Sequence, residues 1–125
     1  MAGPDVDGLN PYIARMRREN KVEAEYADRL HAAAYEEAWR LGREMGRADA
    51  SLAEVVLFGS ALPGRAFRRD SDIDLGIRGG NRVLLEHVVV DSSFAVDLID
   101  LEDARPGIVE RIEKEGVVVY AAPEN

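Results

Sequence analysis

Apolar residues recur at three- and four-residue steps from Pro11 to about Met45. Val22, Tyr26, Leu30, Ala33, Ala34, Ala38, Leu41 and Met45 form one stripe, as in an amphipathic helix. Glu23, Arg29, Glu36 and Arg40 mark the opposite face. Pro11 suits a first helical turn, and Gly46 suits a stop just past the last periodic residue. The stripe is poor between Arg17 and Lys21. As one helix, residues 11–45 would extend roughly 50 Å, whereas a compact domain of this size is roughly 35 Å across. Two outcomes follow: a break near Asn20 with the helix packed wholly on its own sheet, or an overhang that meets a partner chain. Residues 1–10, with Gly3, Pro4 and Gly8, read as a flexible arm.

Downstream the period shortens. Glu54–Phe58 reads as a buried strand, Asp72–Ile77 as a second one closed by Gly79-Gly80, and Phe94–Leu101 as a third. Between the last two, Asn81–His87 fits a short helix, with a hairpin beginning at HVVV-DSS as the other option. Ala104–Glu115 is helical, with Arg105, Arg111 and Lys114 on its polar side. Glu102-Asp103 reads as its acidic N-terminal cap. Gly116 closes that helix, and Val117–Tyr120 is a last short strand. Strands alternating with helices predict an α/β or α+β domain, a small sheet covered by helices on one side. The chain divides into the arm 1–10, a helical segment 11–48 and a core 49–125.

Bulk properties narrow the function. At 125 residues and 46% hydrophobic, the chain is sized for one domain with a real core. Cysteine is absent, which excludes disulfides and thiolate metal sites and fits a cytoplasmic protein. No apolar run approaches the roughly 20 residues that span a membrane, and MAGPDVDGLN does not look like a signal peptide. The net charge of −8 repels a nucleic acid unless a local basic patch attracts it. The one dense basic cluster of the second half, Arg65, Arg68 and Arg69, suits a small polyphosphate better than a duplex.

That cluster sits inside VVLFGSALPGRAFRRDSDIDLGI, residues 55–77. Gly59-Ser60 ends the first strand. The glycine allows close backbone approach to a phosphate, and the serine offers an N–H and a hydroxyl. A short helix starting at Ala61, with Pro63 in its first turn, would add free amides there. Asp72 and Asp74 share one face of the second strand, while Ile73, Leu75 and Ile77 share the other. Two such carboxylates repel unless a cation lies between them, and hard oxygen donors suit Mg²⁺ shared with phosphate oxygens. Asp97 stands mid-strand between Val96 and Leu98, where an unpaired carboxylate is expensive. If its strand neighbours the second one, it completes a three-carboxylate site. Asp100, on the opposite face and nearer the strand end, is assigned a structural role. His31 and His87 lack ligand-spaced partners, and Trp39 and Tyr120 read as packing residues.

In combination, FGSALPGRAFRRDSDIDLGI, VDLID and EGVVVY resemble the minimal nucleotidyltransferases of the polymerase-beta-like superfamily, over most of residues 50–121. The resemblance implies a nucleotidyltransferase fold in which residues 49–125 are the catalytic core. It also implies a metal-binding and catalytic triad of Asp72, Asp74 and Asp97, holding two Mg²⁺ ions. Gly59, Ser60, Arg65 and Arg69 would bind the phosphates of a nucleoside triphosphate, ATP foremost. The sequence departs from the usual pattern in three respects. The spacer between Ser60 and Asp72 has 11 residues where ten are usual, Ala61 replaces a frequent arginine, and the segment between the second and third strands is short. Stand-alone relatives are commonly encoded beside a small helical HEPN-type protein, act as its antitoxin, and in some cases transfer AMP to its tyrosine. The expectation is thus transfer of AMP to a partner's hydroxyl, with a HEPN-type partner and a homo-oligomer through the N-terminal helix as assemblies. The alternatives are a module that neutralises a partner by contact alone, and a transferase acting on a small hydroxylated molecule.

Overall fold

The N-terminal stripe folds as one unbroken helix, α1 (Pro11–Ala48), in the computed structural model, which describes residues 11–124. The expected arm at residues 1–10 lies outside the described residues. The break considered near Asn20 does not occur. Residues 17–21 contain no glycine or proline and are mostly good helix formers, and Arg15 faces Glu19 one turn on (3.8 Å). At 38 residues, α1 is about 57 Å long and overhangs the domain. Its buried residues, Ala34, Ala38, Leu41, Gly42 and Met45, all lie in the second half. In the first half Tyr12 and Val22 are more than half exposed.

Gly42 and Gly46 set how closely α1 lies on the sheet. A Cβ at Gly42 would come within 2.9 Å of the Val119 carbonyl, and one at Gly46 would collide with the Tyr120 ring. The helix thus rests directly on the last strand.

The sheet has four strands, β1 (Leu52–Phe58), β2 (Ile73–Gly79), β3 (Val96–Asp100) and β4 (Val117–Ala121), in the order β3-β2-β1-β4. β1 runs antiparallel to β2 and β4, while β2 and β3 are parallel. The parallel pair requires a crossover, which α2 (Arg82–Val89) supplies. The hairpin alternative is absent because Asn81 caps this helix, its side chain accepting from the Leu84 N–H. A third helix, α3 (Pro106–Glu115), joins β3 to β4.

Alternation splits the sheet into two faces. Val55 and Leu57 of β1, Ile73, Leu75 and Ile77 of β2, and Leu98 of β3 form one core with α1 and α2. Val56 and Leu101 form a smaller core with Ile112 of α3. Helices therefore cover both faces, correcting the one-sided expectation. α3 is short and covers only part of its face.

The turns at one end of the sheet are tied by carboxylates. Asp49, buried, accepts from the Ser51 N–H (2.9 Å), the Ser51 hydroxyl (2.6 Å) and the Asn81 N–H (2.6 Å). It so joins the α1–β1 turn to the β2–α2 turn, and these bonds hold its carboxyl below the ordinary range. Glu102 is not the cap of α3. Pro106 fixes that helix's first turn, residues 101–103 form a separate turn, and Glu102 accepts instead from the Gly79 N–H (2.9 Å).

Candidate functional site

The opposite end of the sheet gathers the residues singled out for chemistry. β1 ends at Phe58, and the chain turns through one 3₁₀ turn, Gly59–Ala61. Gly59 has φ +77, and a Cβ there would collide with Asp74 Oδ2. Glycine is thus required both for the backbone conformation and to seat the turn against the carboxylate. The helix expected from Ala61 onward does not form. Leu62 is extended (φ −63, ψ 147), because a residue before proline is pushed out of the helical region. Any anion held here would meet the amides of a single turn rather than a helix end. His31 is satisfied, donating through Nε2 to the Leu62 carbonyl (2.9 Å).

Asp74 pairs across the antiparallel ladder with Phe58 and across the parallel ladder with Asp97. Register therefore places Asp97 beside Asp74, on the face away from α1. Asp72 lies just before β2 begins, exposed, two residues from Asp74. Burial first, and then the charges of Asp97 and Asp72, push the Asp74 carboxyl up to about 6. Among the described residues none of the three carboxylates accepts a hydrogen bond or meets an ion-pair partner from the protein.

Asp97 is exposed, not buried among apolar neighbours, because β3 is an edge strand and Val96 and Leu98 point to the other face. Its place in the cluster comes from register, not from the cost of burial. Asp100 lies on the opposite face, as expected, and its carboxylate accepts from the Glu102 N–H (2.9 Å) to close a turn.

Among the described residues no three acidic or histidine side chains stand close enough to form a ready-made metal cage. The upward shift at Asp74 comes first from burial and then from the like charges of Asp97 and Asp72. The donor set itself is all hard oxygen on one end of a sheet, which fits a small divalent cation shared with phosphate oxygens.

The two arginines expected to act together lie on different sides. Arg65 pairs with Glu115 of α3 (3.0 Å). It borders a groove of about 240 Å³ beside Gly59, to which Phe58, Arg111 and Ile112 also contribute. Arg69 lies on the α1 side, its guanidinium 5.2 Å from the centre of the Tyr26 ring. It borders a groove of about 260 Å³ that contains Asp72, Leu30 and Phe94. Periodicity puts Arg111 on the polar face of a helix and Tyr26 in the apolar stripe, and carries no signal linking the one to Gly59 or the other to Asp72.

One end of the mixed sheet thus presents a glycine-serine turn and three aspartates whose side chains have no protein partner among the described residues. Residues 44–125 match the family described as Polymerase beta, Nucleotidyltransferase. The match includes the turn and all three aspartates, and the chain belongs to this family. No curated protein sequence matches it. Among solved structures, a toxin–antitoxin complex with AMP-PNP aligns at TM-score 0.53 and 22% identity, over 63% of this chain and 68% of that one. A mutant of the MntA-HpeT toxin–antitoxin aligns at TM-score 0.53 and 20% identity, over the same shares. A tri-AMPylated Shewanella oneidensis HEPN toxin in complex with its MNT antitoxin aligns at TM-score 0.48 and 19% identity, over 73% and 72%. At these identities the likeness is one of fold. No helix among the described residues is long and apolar enough to cross a membrane.

Proposed function

We propose that the chain is a Mg²⁺-dependent nucleotidyltransferase that moves AMP from ATP to a hydroxyl of a partner protein, as the minimal-nucleotidyltransferase antitoxin of a HEPN-type toxin. One observation carries the reading: the Gly59-Ser60 turn is seated on Asp74, with Asp97 across the ladder, Asp72 two residues away, and no donor to any of the three side chains among the described residues. Asp74, half-buried and beside two like charges, is the costly member of the group, and a shared cation would relieve it.

In this reading Asp72 and Asp74 would hold Mg²⁺ together with the triphosphate, and Asp97 would complete a second cation's ligands. Mg²⁺, when bound, neutralises phosphate charge and lowers the pKa of the attacking hydroxyl. Ser60 and the turn amides bind phosphate oxygens, and Arg65, released from Glu115, neutralises the departing pyrophosphate. Arg69 steadies the nucleotide from the α1 side. Asp97 takes the hydroxyl proton. The acceptor oxygen bonds to the α-phosphorus while the bond from that phosphorus to pyrophosphate breaks. The catalysis is positioning and electrostatics.

Incubation with ATP labelled at the α-phosphate, Mg²⁺ and the helical product of the neighbouring gene tests this. Wild type transfers label to the partner, and Asp74→Ala does not. Equal transfer by both, or none by wild type, overturns it. The overhang of α1 favours a second reading, in which the chain masks its partner by contact alone. Asp72→Ala and Asp74→Ala would then still neutralise the partner.

A further inference from the structure

The groove beside Gly59 lies on the same face of the sheet as Asp74. Phe58, which lines it, stands across the ladder from Asp74 and packs against the smaller core beneath α3. Gly59 lines it too, and the missing Cβ of this glycine is what leaves room for Asp74 Oδ2. An occupant of the groove therefore meets the turn seated on Asp74. At about 240 Å³ the groove has the liquid volume of about eight waters, room for a pair of phosphate groups.

Its walls are charged. Pro63 and Gly64 hold the central positions of a turn closed from the Arg65 N–H to the Leu62 carbonyl (3.2 Å), and Gly64 has the positive φ (+82) that a type II turn requires there. The turn delivers Arg65 to α3. Its guanidinium donates to Glu115 Oε2 (3.0 Å), and the same oxygen faces the Arg111 guanidinium (3.8 Å). The hydrogen bond from Arg65, and then the charges of Arg65, Arg111 and Lys114, hold the Glu115 carboxyl below the ordinary range. Three cations thus act on one carboxylate in a chain of net charge −8. The dipole of a helix end accounts for Arg111 and Lys114. It does not account for Arg65, which comes from a loop 50 residues away in sequence. Both ion pairs are exposed, so they add little to the fold, and an incoming anion displaces Glu115 at little cost.

We infer that Arg111, with Arg65, binds the terminal phosphates of the triphosphate donor, and that Glu115 is a built-in competitor that holds their place until they arrive. This rests on the transferase reading and adds a phosphate-binding residue, Arg111, and a device for exchange. The chemical step is unchanged. Once the acceptor oxygen has bonded to the α-phosphorus and the bond to pyrophosphate has broken, Glu115 regains the two arginines as pyrophosphate leaves.

The test measures, by calorimetry with Mg²⁺, the affinity of the full chain for a non-hydrolysable ATP analogue, for AMP and for inorganic pyrophosphate. Arg111→Ala should weaken the analogue and pyrophosphate about fivefold or more, as loss of a charge-assisted contact does, and leave AMP within about twofold. Arg111→Lys should recover part of that loss. Glu115→Gln should act in the opposite direction, tightening both phosphate ligands about threefold, the scale of an exposed ion pair. Pyrophosphate should then also inhibit transfer more strongly. Both positions are exposed, so the variants should fold as wild type by circular dichroism. Unchanged analogue affinity in Arg111→Ala, an equal loss for AMP, or analogue binding by Glu115→Gln no tighter than wild type would each overturn the assignment and leave the transferase reading standing. If wild type binds pyrophosphate but not the analogue, the groove takes free phosphate, and the donor assignment is overturned. If it binds neither, the transferase reading fails, and the subsite falls with it.

Discussion

The two ends of the sheet use the same residue type in opposite ways. At one end Asp49 is buried, accepts three hydrogen bonds and has its carboxyl held below the ordinary range. Asp100 and Glu102 there also close turns through backbone amides. At the other end the Asp74 carboxylate is half-buried, receives no donor among the described residues, faces two like charges and is pushed up to about 6. Only the first arrangement stabilises the fold by itself. A carboxylate that the fold satisfies is architecture, and a group of carboxylates that the fold leaves repelling points to a ligand.

The largest test of this contrast is Asp74→Asn. Losing a partner of a metal ligand typically costs 10–100-fold, so losing a ligand itself should lower transfer by at least about 100-fold, measured as label incorporation with Mg²⁺. The fold should remain intact by circular dichroism. Asp49→Ala should do the reverse. It strips three bonds from a buried charged acceptor, so stability should fall by about 2 kcal/mol in urea unfolding, while ATP-analogue affinity in the folded protein stays near wild type. If Asp49→Ala abolished nucleotide binding without loss of stability, the contrast between the two ends would fail.

Gly59→Ala acts on both quantities. Its φ is positive and its Cβ would meet Asp74, so a stability loss of about 1 kcal/mol or more is expected, together with weaker nucleotide binding. Ser60→Ala, which keeps the backbone, should leave stability unchanged.

The smallest effect separates the ends by the sign of their pH dependence. Asp74 binds its proton more tightly folded than unfolded. Its contribution to stability is therefore complete below its ordinary value of 3.8 and is lost as pH rises through about 6. Without metal at pH 7–8, Asp74→Asn should be more stable than wild type by on the order of 1 kcal/mol, after allowance for solvent screening, with the difference vanishing toward pH 4. Asp49, with its value lowered, contributes stability that is present above its ordinary value and is lost as pH falls below it. Cation affinity should weaken as pH drops below about 6, with proton release visible by calorimetry in buffers of different ionisation enthalpy.

Alternation in Asp72–Ile77 and the spacing of Gly59-Ser60 made the strands and the acidic pair legible, because both follow from local geometry. The long helix was legible from its stripe, but its continuity rested on the absence of any breaker between Arg17 and Lys21. What was not legible depended on long-range placement. Parallel pairing of β2 and β3 puts Asp97 beside Asp74 in register, whereas the burial expected of Asp97 is contradicted by its edge-strand position. The divergence of Arg65 and Arg69 depends on α3 and α1 lying on different faces, which periodicity does not encode. Pro63 did carry a readable signal against a helix at Ala61, through its effect on Leu62.

The unequal burial of α1 has a consequence for motion. Residues 11–29 of α1 include no buried residue, and a helical stretch of that length gains little from burial, whereas the stretch from Ala34 to Met45 is locked beneath the sheet. Amide protons of residues 11–29 should therefore exchange through local fraying within the earliest time points of a hydrogen-exchange experiment. Those near Leu41 should wait for global unfolding. Any molecule that settles along the outer half must first still it, so its affinity will include an ordering cost, and its arrival will be readable as slowed exchange about Val22 and Tyr26.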